Sequence, residues 1–282
     1  MTPELIHKRD ALLTTLHAIG PCAVALSGGI DSTLVARAAY EVWGQAAVAV
    51  TADSPSVARR ELELARRMAA WIGIRHVVIA TQELENPDYR RNDGTRCYHC
   101  KSELYRRVEE LLPSLGVQVI CSGANLDDAG DYRPGLRAAA EHAVRHPLQE
   151  AGFTKADVRA LARAWNIPTW DKPASPCLSS RLAPGVPATL ERIARVEAAE
   201  EYLQSLGLRE CRVRVHAGEL ARLEVPLGAI ARLAHPEVRD GVVARLRQLG
   251  FAYVTLDLEG FRTGSLNLLV PLGIKRSFET PS

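Results

Sequence analysis

The sequence predicts an α/β protein, with a doubly wound parallel sheet followed by a smaller α+β domain. Short, almost continuous apolar runs alternate with helical patterns in the first part, which is typical of a parallel sheet covered on both faces. Four prolines then fall within 171–187, and the strands beyond are short and alternating. We therefore expect a first domain at 1–170, a linker and active-site loop at 171–187, and a substrate and oligomerisation domain at 188–282.

The first part gives a local signal for each element. Strands are predicted in the apolar runs at 22–26, 46–51, 74–79 and 117–121. Helices are predicted at 4–19, 31–43 and 98–112. A further helix after Pro55 is expected to carry Val57, Leu64, Met68 and Trp71 on one side.

The second part begins after a well-signalled helix. Thr154 and Asp157 fit a capping box at the start of that helix, and Asn166 and Pro168 mark its end. A long amphipathic helix is then expected at 188–206. Strands are predicted at 211–215, 221–225 and 253–256, with helical pieces before the last of them.

Composition excludes several classes of protein. The 282 residues include 35 Lys and Arg against 33 Asp and Glu, a net charge of +2, so no broad basic surface for nucleic acid is expected. No apolar run is long enough for a membrane span, and the N-terminus has no apolar signal core. We expect a cytoplasmic protein in which the six cysteines are thiols, metal ligands or nucleophiles.

The turn after the first strand has the composition of a phosphate site. The segment 27–32 places two glycines and two serines between a strand end and a helix start, where backbone N–H groups and the helix N-terminus favour an anion. It is not a Walker loop, because the glycine spacing differs and no lysine precedes a serine or threonine there. A turn that binds nothing is the alternative.

Ser27-Gly-Gly-Ile-Asp-Ser32 resembles the SGGxDS motif of the PP-loop ATP pyrophosphatases. The resemblance implies a five-stranded sheet of the adenine nucleotide alpha hydrolase type, cleavage of ATP between its α and β phosphates, and Mg²⁺ placed by Asp31. It also implies that the ends of the second and fourth strands border the nucleotide. The implied ATP-binding residues are Ser27, Gly28, Gly29, Asp31, Ser32, Thr51, Ser54, Gly123, Asn125 and Asp128.

Four further segments, 96–101, 130–135, 172–181 and 260–267, resemble the LarE family of ATP-dependent sacrificial sulfur transferases. The resemblance spans nearly the whole chain. It implies adenylation of a carboxylate of pyridinium-3,5-biscarboxylic acid mononucleotide and its release as a thiocarboxylate for the nickel-pincer cofactor of lactate racemase. It further implies a homo-oligomer, hand-off to a nickel-insertion protein, and no nucleic-acid or membrane partner.

Cys177 matches the sulfur-donating position of that family. A thiolate is a strong nucleophile toward an acyl-adenylate, and nearby cations such as Lys172 and Arg181 favour the thiolate form. Ser180 lies in the same motif. The alternative is that Cys177 is a buried small hydrophobe, although a proline-rich loop between basic residues is an unusual place for one.

Cys97 and Cys100 form a CxxC pair that fits half a zinc site, a redox pair or a coincidence at a helix start. Because no second CxxC supplies further ligands, we interpret the pair as structural and expect Lys101 to face the active site. Some LarE relatives hold an iron–sulfur cluster with cysteines near the C-terminus. No cysteine follows Cys211, so no cluster is expected.

A substrate with a phosphate and two carboxylates requires cations. Arg212 and Arg214 alternate on one strand face, where both guanidinium groups could clamp a phosphate, and Arg262 could join them. A solvated strand face is the alternative for this spacing. Glu201 and Glu224 are candidates for proton transfer or metal binding.

Other functions fit parts of the same pattern. An amide synthetase on the PP-loop fold would not need Cys177, and a tRNA thiolase relay through Cys97, Cys100 and Cys177 would be expected to carry a basic RNA-binding region. A non-catalytic ATP sensor is the alternative from another class. Pyrophosphate release that depends on the pyridinium substrate would eliminate the sensor.

Overall fold

The structure, a computed structural model, describes residues 1–128, 134–262 and 264–276. The chain divides into two compact units. The first contains Met1–Glu83 and Cys97–Ser175, and the second contains Leu84–Arg96 and the described residues from Pro176 onward. The predicted domain bounds at 1–170, 171–187 and 188–282 treat each domain as continuous, and they stay a prediction.

The first unit is built on a parallel sheet. Its strands are β1 (Cys22–Ala25), β2 (Val48–Asp53), β3 (Arg75–Ala80) and β4 (Val119–Cys121). They lie in the order β3-β2-β1-β4, and every neighbouring pair is parallel. The predicted α/β class with a parallel sheet is confirmed.

Helices cover both faces of this sheet. The unit contains α1 (Pro3–Ile19), α2 (Ile30–Trp43), α3 (Arg59–Ile72), most of α5 (Arg96–Leu115), α6 (Pro134–Glu141), α7 (Pro147–Glu150) and α8 (Lys155–Ala164). Alternate residues of β1 enter different apolar clusters: Val24 packs with Leu34 of α2, and Ala23 packs with Val108 of α5. Because β1 packs against apolar side chains on both of its faces, its sequence is apolar without interruption.

The implied fifth strand is not present among the described residues, where the sheet has four strands. Beyond β4 the chain forms only an isolated parallel bridge between Cys121 and Arg145. Ala143 has a φ of +49°, and Pro147, which has no N–H to donate, begins α7. Both ends of the bridge are therefore blocked from extending into a strand.

The buried side of α3 also differs from the prediction. Its buried residues are Leu62, Ala65, Met68, Ala69 and Ile72. Trp71 is 42% exposed, and Val57 precedes the helix. Ala65 lies on the buried side because the chain at Gly28 approaches it closely: a Cβ on Gly28 would lie 3.0 Å from the Ala65 nitrogen.

The second unit contains a three-stranded sheet of β5 (Arg212–His216), β6 (Leu220–Glu224) and β7 (Tyr253–Leu256) in the order β5-β6-β7. The first pair is antiparallel and the second parallel. Its helices are α4 (Pro87–Arg91), α9 (Leu190–Ser205), α10 (Leu227–Ala234), α11 (Pro236–Gln248) and α12 (Leu272–Arg276). A short 3₁₀ turn, Leu178–Arg181, follows Cys177.

Helix starts follow local rules closely. The capping box of α8 is present as predicted: the Asp157 N–H donates to the Thr154 hydroxyl at 3.3 Å, and the Thr154 N–H donates to the Asp157 carboxylate at 2.9 Å. Within the described ranges, no helix has both the length and the apolar character that crossing a bilayer would require.

Candidate active site

The glycine turn between β1 and α2 is organised by its own hydroxyl groups. The Ser27 N–H donates to Ser32 Oγ at 3.1 Å, and the two hydroxyls lie 3.1 Å apart. The Thr33 hydroxyl donates to the Gly29 carbonyl at 2.7 Å. Gly29 caps α2 without a side-chain hydrogen bond, so the first N–H groups of this helix are left to bind an anion.

Two glycines allow close backbone approach at this turn. Gly28 has a φ of +73°, which glycine adopts without strain. Gly123, just after β4, lies against the first turn of α2: a Cβ there would lie 2.6 Å from the Ser32 nitrogen and 2.9 Å from the Asp31 carbonyl carbon. Only glycine fits at 123, so the end of β4 and the glycine turn form one continuous surface.

Asp31 projects from the first turn of α2 and is bound through both carboxylate oxygens. One accepts from the Asn125 side-chain amide at 3.1 Å, and the other pairs with the Lys155 ammonium. Because a carboxylate beside a phosphate site is unfavourable without a cation between them, Asp31 suits a metal held jointly with phosphate oxygens. Mg²⁺ is commonly bound by one or two carboxylates plus substrate phosphates, so this single carboxylate fits it.

The turn after β4 fixes the other predicted nucleotide residues. The Asn125 N–H donates to Asp128 at 3.0 Å, and the Asp127 N–H donates to the Asn125 side-chain oxygen at 3.0 Å. Asn125 is buried and reaches Asp31 across a separation of 94 residues. The structure thus brings Asp31, Gly123 and Asn125 together. Within the described residues, no group of three or more His, Cys, Asp or Glu side chains could hold a metal.

Thr51 and Ser54 are buried and bound within the protein. The Thr51 hydroxyl donates to the Leu26 carbonyl at 2.7 Å and lies 2.8 Å from His76 Nε2. The Ser54 hydroxyl donates to the Glu83 carboxylate and accepts the Ser56 N–H at 2.9 Å. Their side chains therefore shape the ends of β1 and β2, and a nucleotide at this edge would meet backbone rather than these hydroxyls.

Lys101 and the CxxC pair lie at the start of α5. Lys101 Nζ lies 5.7 Å from the centre of the Tyr105 ring, and its side chain packs against Gly135. Cys97 is exposed and Cys100 is half-buried. Burial and the positive charge of Lys101 lower the pKa of His146, although Glu150 and Asp128 oppose this. The predicted motif at 130–135 lies mostly outside the described residues.

Lys172 is held by a carboxylate that sequence analysis did not identify. Its ammonium pairs with Glu61 in the first turn of α3, and the Ser175 hydroxyl donates to the same carboxylate at 2.9 Å. The Glu61 backbone carbonyl oxygen would lie 3.3 Å from a Cβ on Gly28. Lys172 and Ser175 are therefore fixed beside the glycine turn within the first unit.

Cys177 is half-buried, and its carbonyl oxygen is bound by three groups of the following turn. It accepts the Ser180 N–H at 3.0 Å, the Ser180 hydroxyl at 2.7 Å and Arg181 Nη1 at 3.1 Å. Arg181 Nη1 also donates to the Pro176 carbonyl at 2.5 Å. These bonds fix the backbone of the cysteine without engaging its sulfur.

Arg181 is fully buried and forms a bidentate pair with Glu200 of α9. The Nε–Oε1 and Nη2–Oε2 distances are 2.8 and 3.0 Å, and both side chains are 1% exposed. Glu200 also accepts the Val213 N–H of β5 at 3.2 Å. The charge of Arg181 is therefore compensated by Glu200, and Arg181 holds the cysteine loop through the Cys177 carbonyl; its expected role in favouring the thiolate stays a prediction.

Glu201, the predicted proton-transfer candidate, is exposed on α9. Glu224, the second candidate, is fully buried and bound by Arg214 at 2.8 Å, Arg222 at 3.1 Å and the Ser265 hydroxyl at 2.6 Å. A carboxylate held by two guanidinium groups is a poor base. Glu224 thus positions the two arginines, and a proton-transfer role for either glutamate stays a prediction.

The predicted arginine clamp lies on buried strand positions. Arg212 and Arg214 are 8% and 5% exposed, so the alternative of a solvated strand face is excluded. Arg214 Nη1 donates to the Ser180 carbonyl at 3.1 Å, which connects the clamp to the cysteine loop. Arg262 pairs with Glu259 at 2.7 Å and Asp257 at 3.5 Å, and Arg222 also binds Asp257.

Burial and neighbouring cations disfavour the positive charge of Arg212. Its guanidinium lies 5.0 Å from the Phe261 ring centre and donates to the Cys211 carbonyl at 2.8 Å. Burial, followed by the positive charges of Arg181 and Arg214, lowers the pKa of Arg212 to about 10, although Glu200 opposes this. A desolvated cation among cations is stabilised by an added anion, so this is a suitable phosphate position.

Comparison with known proteins identifies the family. The asparagine synthase family model matches residues 9–92, the part that contains the glycine turn. The chain is 39% identical over 264 residues, 93% of its length, to the pyridinium-3,5-bisthiocarboxylic acid mononucleotide synthase of Lactiplantibacillus plantarum, of which 95% is covered. The chain belongs to the LarE family. This makes it an ATP-dependent enzyme of the PP-loop class.

Two further relatives carry no assigned function. An uncharacterized protein of Synechocystis is 47% identical over 86% of this chain and 91% of its own length. An uncharacterized protein of Methanocaldococcus jannaschii is 25% identical over 85% of this chain and 90% of its own length. The 264 residues matched to the Lactiplantibacillus plantarum synthase extend over both compact units.

Sequence analysis of this LarE-family chain missed four residues that contact predicted site residues, two in each unit. Lys155 and Glu61 were missed because their partners lie 124 and 111 residues away along the chain. Glu200 was passed over for its neighbour Glu201. Phe261 was quoted in a motif, but its ring contact with Arg212 requires the fold.

Proposed function

We propose that this protein uses MgATP to adenylate a carboxylate of pyridinium-3,5-biscarboxylic acid mononucleotide and converts it to a thiocarboxylate with the sulfur of Cys177. The observation that carries the proposal is the 39% identity over 93% of the chain to a synthase of the bisthiocarboxylic product. The product would serve the nickel-pincer cofactor of lactate racemase. The cysteine loop supports it, since the loop backbone is fixed and the sulfur is left unengaged by that set of bonds.

The adenylation step falls to the glycine turn. The free N–H groups at the start of α2 bind phosphate oxygens, and Asp31 holds Mg²⁺, which neutralises charge on the phosphates. The substrate carboxylate attacks the α phosphorus of ATP, the bond to the β phosphate oxygen breaks, and pyrophosphate leaves. The carboxylate thereby becomes an acyl-adenylate, an electrophile that a thiolate attacks readily.

The sulfur step falls to Cys177. Its thiolate attacks the acyl carbon and AMP leaves, which forms a thioester. A general base then removes the Cα proton of Cys177, the electron pair forms a Cα=Cβ bond, and the Cβ–S bond breaks. The sulfur departs as the thiocarboxylate and dehydroalanine stays in the chain, so each protein molecule acts once.

The substrate phosphate is assigned to the arginine clamp. Arg212 and Arg214 are buried guanidinium groups on β5, and an anion bound beside Arg212 would offset the burial and the nearby cations that lower its pKa. Arg262 joins them through the network that runs from Glu224 to Asp257. Arg214 also donates to Ser180, so the residue that binds the phosphate would help to align the cysteine loop.

The test is intact-protein mass spectrometry before and after incubation with MgATP and the pyridinium substrate. We expect the loss of one H₂S from the protein, located at Cys177 by peptide mapping. Cys177→Ser is expected to release pyrophosphate without transferring sulfur, and Asp31→Asn to reduce pyrophosphate release itself. Cys97→Ser, which changes an exposed thiol, is the matched control and keeps full transfer. Product formed with no change in protein mass would contradict the proposal.

A further inference from the structure

The carbonyl oxygen of Cys177 accepts more hydrogen bonds than a peptide carbonyl requires. Its three donors are the Ser180 N–H at 3.0 Å, the Ser180 hydroxyl at 2.7 Å and Arg181 Nη1 at 3.1 Å. A carbonyl oxygen has two lone pairs, whereas the oxygen of an enolate has a third lone pair and a negative charge. This set of donors therefore suits an enolate oxygen better than a neutral carbonyl.

Glu200 determines which nitrogen of Arg181 reaches this oxygen. The carboxylate takes Nε and Nη2 at 2.8 and 3.0 Å, so Nη1 is left to donate to the carbonyls of Pro176 and Cys177. Nη1 also donates to the Ser180 hydroxyl at 3.1 Å, which polarises the O–H that this hydroxyl donates to Cys177. Both side chains of the Arg181–Glu200 pair are 1% exposed, and burial strengthens such hydrogen bonds.

The release of sulfur from Cys177 places a charge on this same oxygen. When a base removes the Cα proton, the electron pair left on Cα is delocalised into the adjacent carbonyl, and the negative charge develops on its oxygen. Re-formation of the C=O bond then moves the pair into the Cα=Cβ bond, and the Cβ–S bond breaks with its electrons on sulfur. Donors that are already aimed at an atom where charge develops lower the barrier of such a step.

We propose that Ser180 and Arg181 form an oxyanion hole for the enolate of Cys177 itself. All three donors contact an atom on which charge develops, so both residues are catalytic in the elimination. The inference rests on the proposed function in its use of Cys177 as the sulfur donor. It deepens that function, because it identifies the groups that stabilise the step in which the Cβ–S bond breaks.

The chain offers a matched control in Ser205. Its hydroxyl donates to the Tyr202 carbonyl at 2.7 Å, which is the same length and the same separation of three residues as in the bond from Ser180 to Cys177. Ser205→Ala therefore removes an equivalent hydrogen bond from a carbonyl beside which no bond breaks. Cys97, an exposed thiol, provides a reference within each protein molecule.

The experiment measures elimination at Cys177 in the full chain without MgATP or the pyridinium substrate. The thiols are cyanylated with 2-nitro-5-thiocyanatobenzoate, and the protein is then held at mildly alkaline pH. Hydroxide removes the Cα proton, the Cβ–S bond breaks, thiocyanate leaves with the electron pair, and dehydroalanine stays in the chain. Peptide mapping by mass spectrometry gives the rate at each cysteine.

Ser180→Ala is expected to slow elimination at Cys177 about a hundredfold, since one of the donors to the enolate oxygen is lost. The rate at Cys97 is expected to stay unchanged, and Ser205→Ala is expected to match the wild type at both cysteines. With MgATP and the pyridinium substrate, Ser180→Ala is expected to accumulate the thioester on Cys177, seen as a mass increase of the intact protein before H₂S is lost.

A purely structural role of Ser180 predicts a different sign. If its hydroxyl only holds the loop, Ser180→Ala opens the loop to hydroxide, and elimination at Cys177 becomes faster than in Ser205→Ala or stays equal to it. Either result would overturn the inference. A wild-type protein in which elimination after cyanylation depends on Ser180, but which loses no sulfur in the mass-spectrometric test, would retain the oxyanion hole and refute the proposed sulfur transfer.

Discussion

Glu200→Gln tests whether the buried pair with Arg181 holds the cysteine loop. The carboxylate accepts two hydrogen bonds from Arg181 at 2.8 and 3.0 Å and one from the Val213 N–H at 3.2 Å, and both paired side chains are 1% exposed. Glutamine keeps the shape but removes the charge and turns an NH₂ group toward a guanidinium. Breaking a buried pair from one side costs about 3–5 kcal/mol.

The assay is native-state hydrogen exchange of the β5 amides, read by mass spectrometry. A loss of about 3 kcal/mol in the free energy of opening corresponds to exchange about a hundredfold faster. Glu201→Gln is the control, since it makes the same change at an exposed neighbour. If the β5 amides of the two variants exchange at rates within a few-fold of each other, the pair does not stabilise this unit and the reasoning fails.

Three further predictions concern the first unit. Gly123→Ala is expected to abolish ATP binding in a calorimetric titration, because the added Cβ would lie 2.6 Å from the Ser32 nitrogen. The control Gly228→Ala is expected to bind ATP normally, because the added Cβ meets no atom within 4 Å. Because burial and Lys101 lower the pKa of His146, an NMR titration of this residue is expected to show a midpoint below 6.5 that rises in Lys101→Met. The stability that His146 contributes is present above pH 6.5 and is lost as the pH falls through the lowered pKa. A midpoint that does not move in Lys101→Met would contradict the role of Lys101. Glu61→Gln removes the partner of Lys172 and Ser175, so limited proteolysis within 170–176 is expected to be several-fold faster than in the exposed control Glu63→Gln. Equal rates of proteolysis would refute the role of Glu61 in holding this segment.

Local chemistry made part of the site predictable. The glycine turn, the strand ends and the capping box at Thr154 depend on neighbours within a few residues, and the structure shows the turn and the box where they were expected. The buried character of Arg212 and Arg214 could not be read from their alternation, because a solvated strand has the same spacing. The fold decides between the two, because it buries both arginines and brings the Glu224 carboxylate to Arg214.

The missed glutamate was within reach of the sequence. The buried residues of α9 include Ile193, Val196, Glu200 and Leu203, which are spaced i, i+3, i+7 and i+10. Glu200 falls on this stripe, and Glu201 is turned about 100° away from it. A buried carboxylate on an apolar stripe requires a cation, and that reasoning would have favoured Glu200 over its neighbour.

The error on α3 has the opposite cause. The predicted stripe of Leu64, Met68 and Trp71 gives weight to large side chains, whereas the buried side includes Ala65 and Ala69. The glycine turn lies close to the helix at Ala65, since a Cβ added at Gly28 would lie 3.0 Å from the Ala65 nitrogen, and this favours a small residue there. The close approach of the glycine turn thus places small residues on the buried face of α3, where an expectation based on the largest apolar residues does not find them.

The near-neutral charge of the chain acquires a physical meaning from the lysines beside the glycine turn. Lys155 is paired with Asp31 and Lys172 with Glu61, so the two ammonium groups are each neutralised by a carboxylate. A net charge of +2 for the whole chain therefore says little about the charge beside the turn, since each of these ammonium groups lies next to a carboxylate. The Lys155–Asp31 pair is the more exposed of the two, at 34% and 24% against 19% and 14%, so water screens the attraction between its charges more strongly than in the Lys172–Glu61 pair.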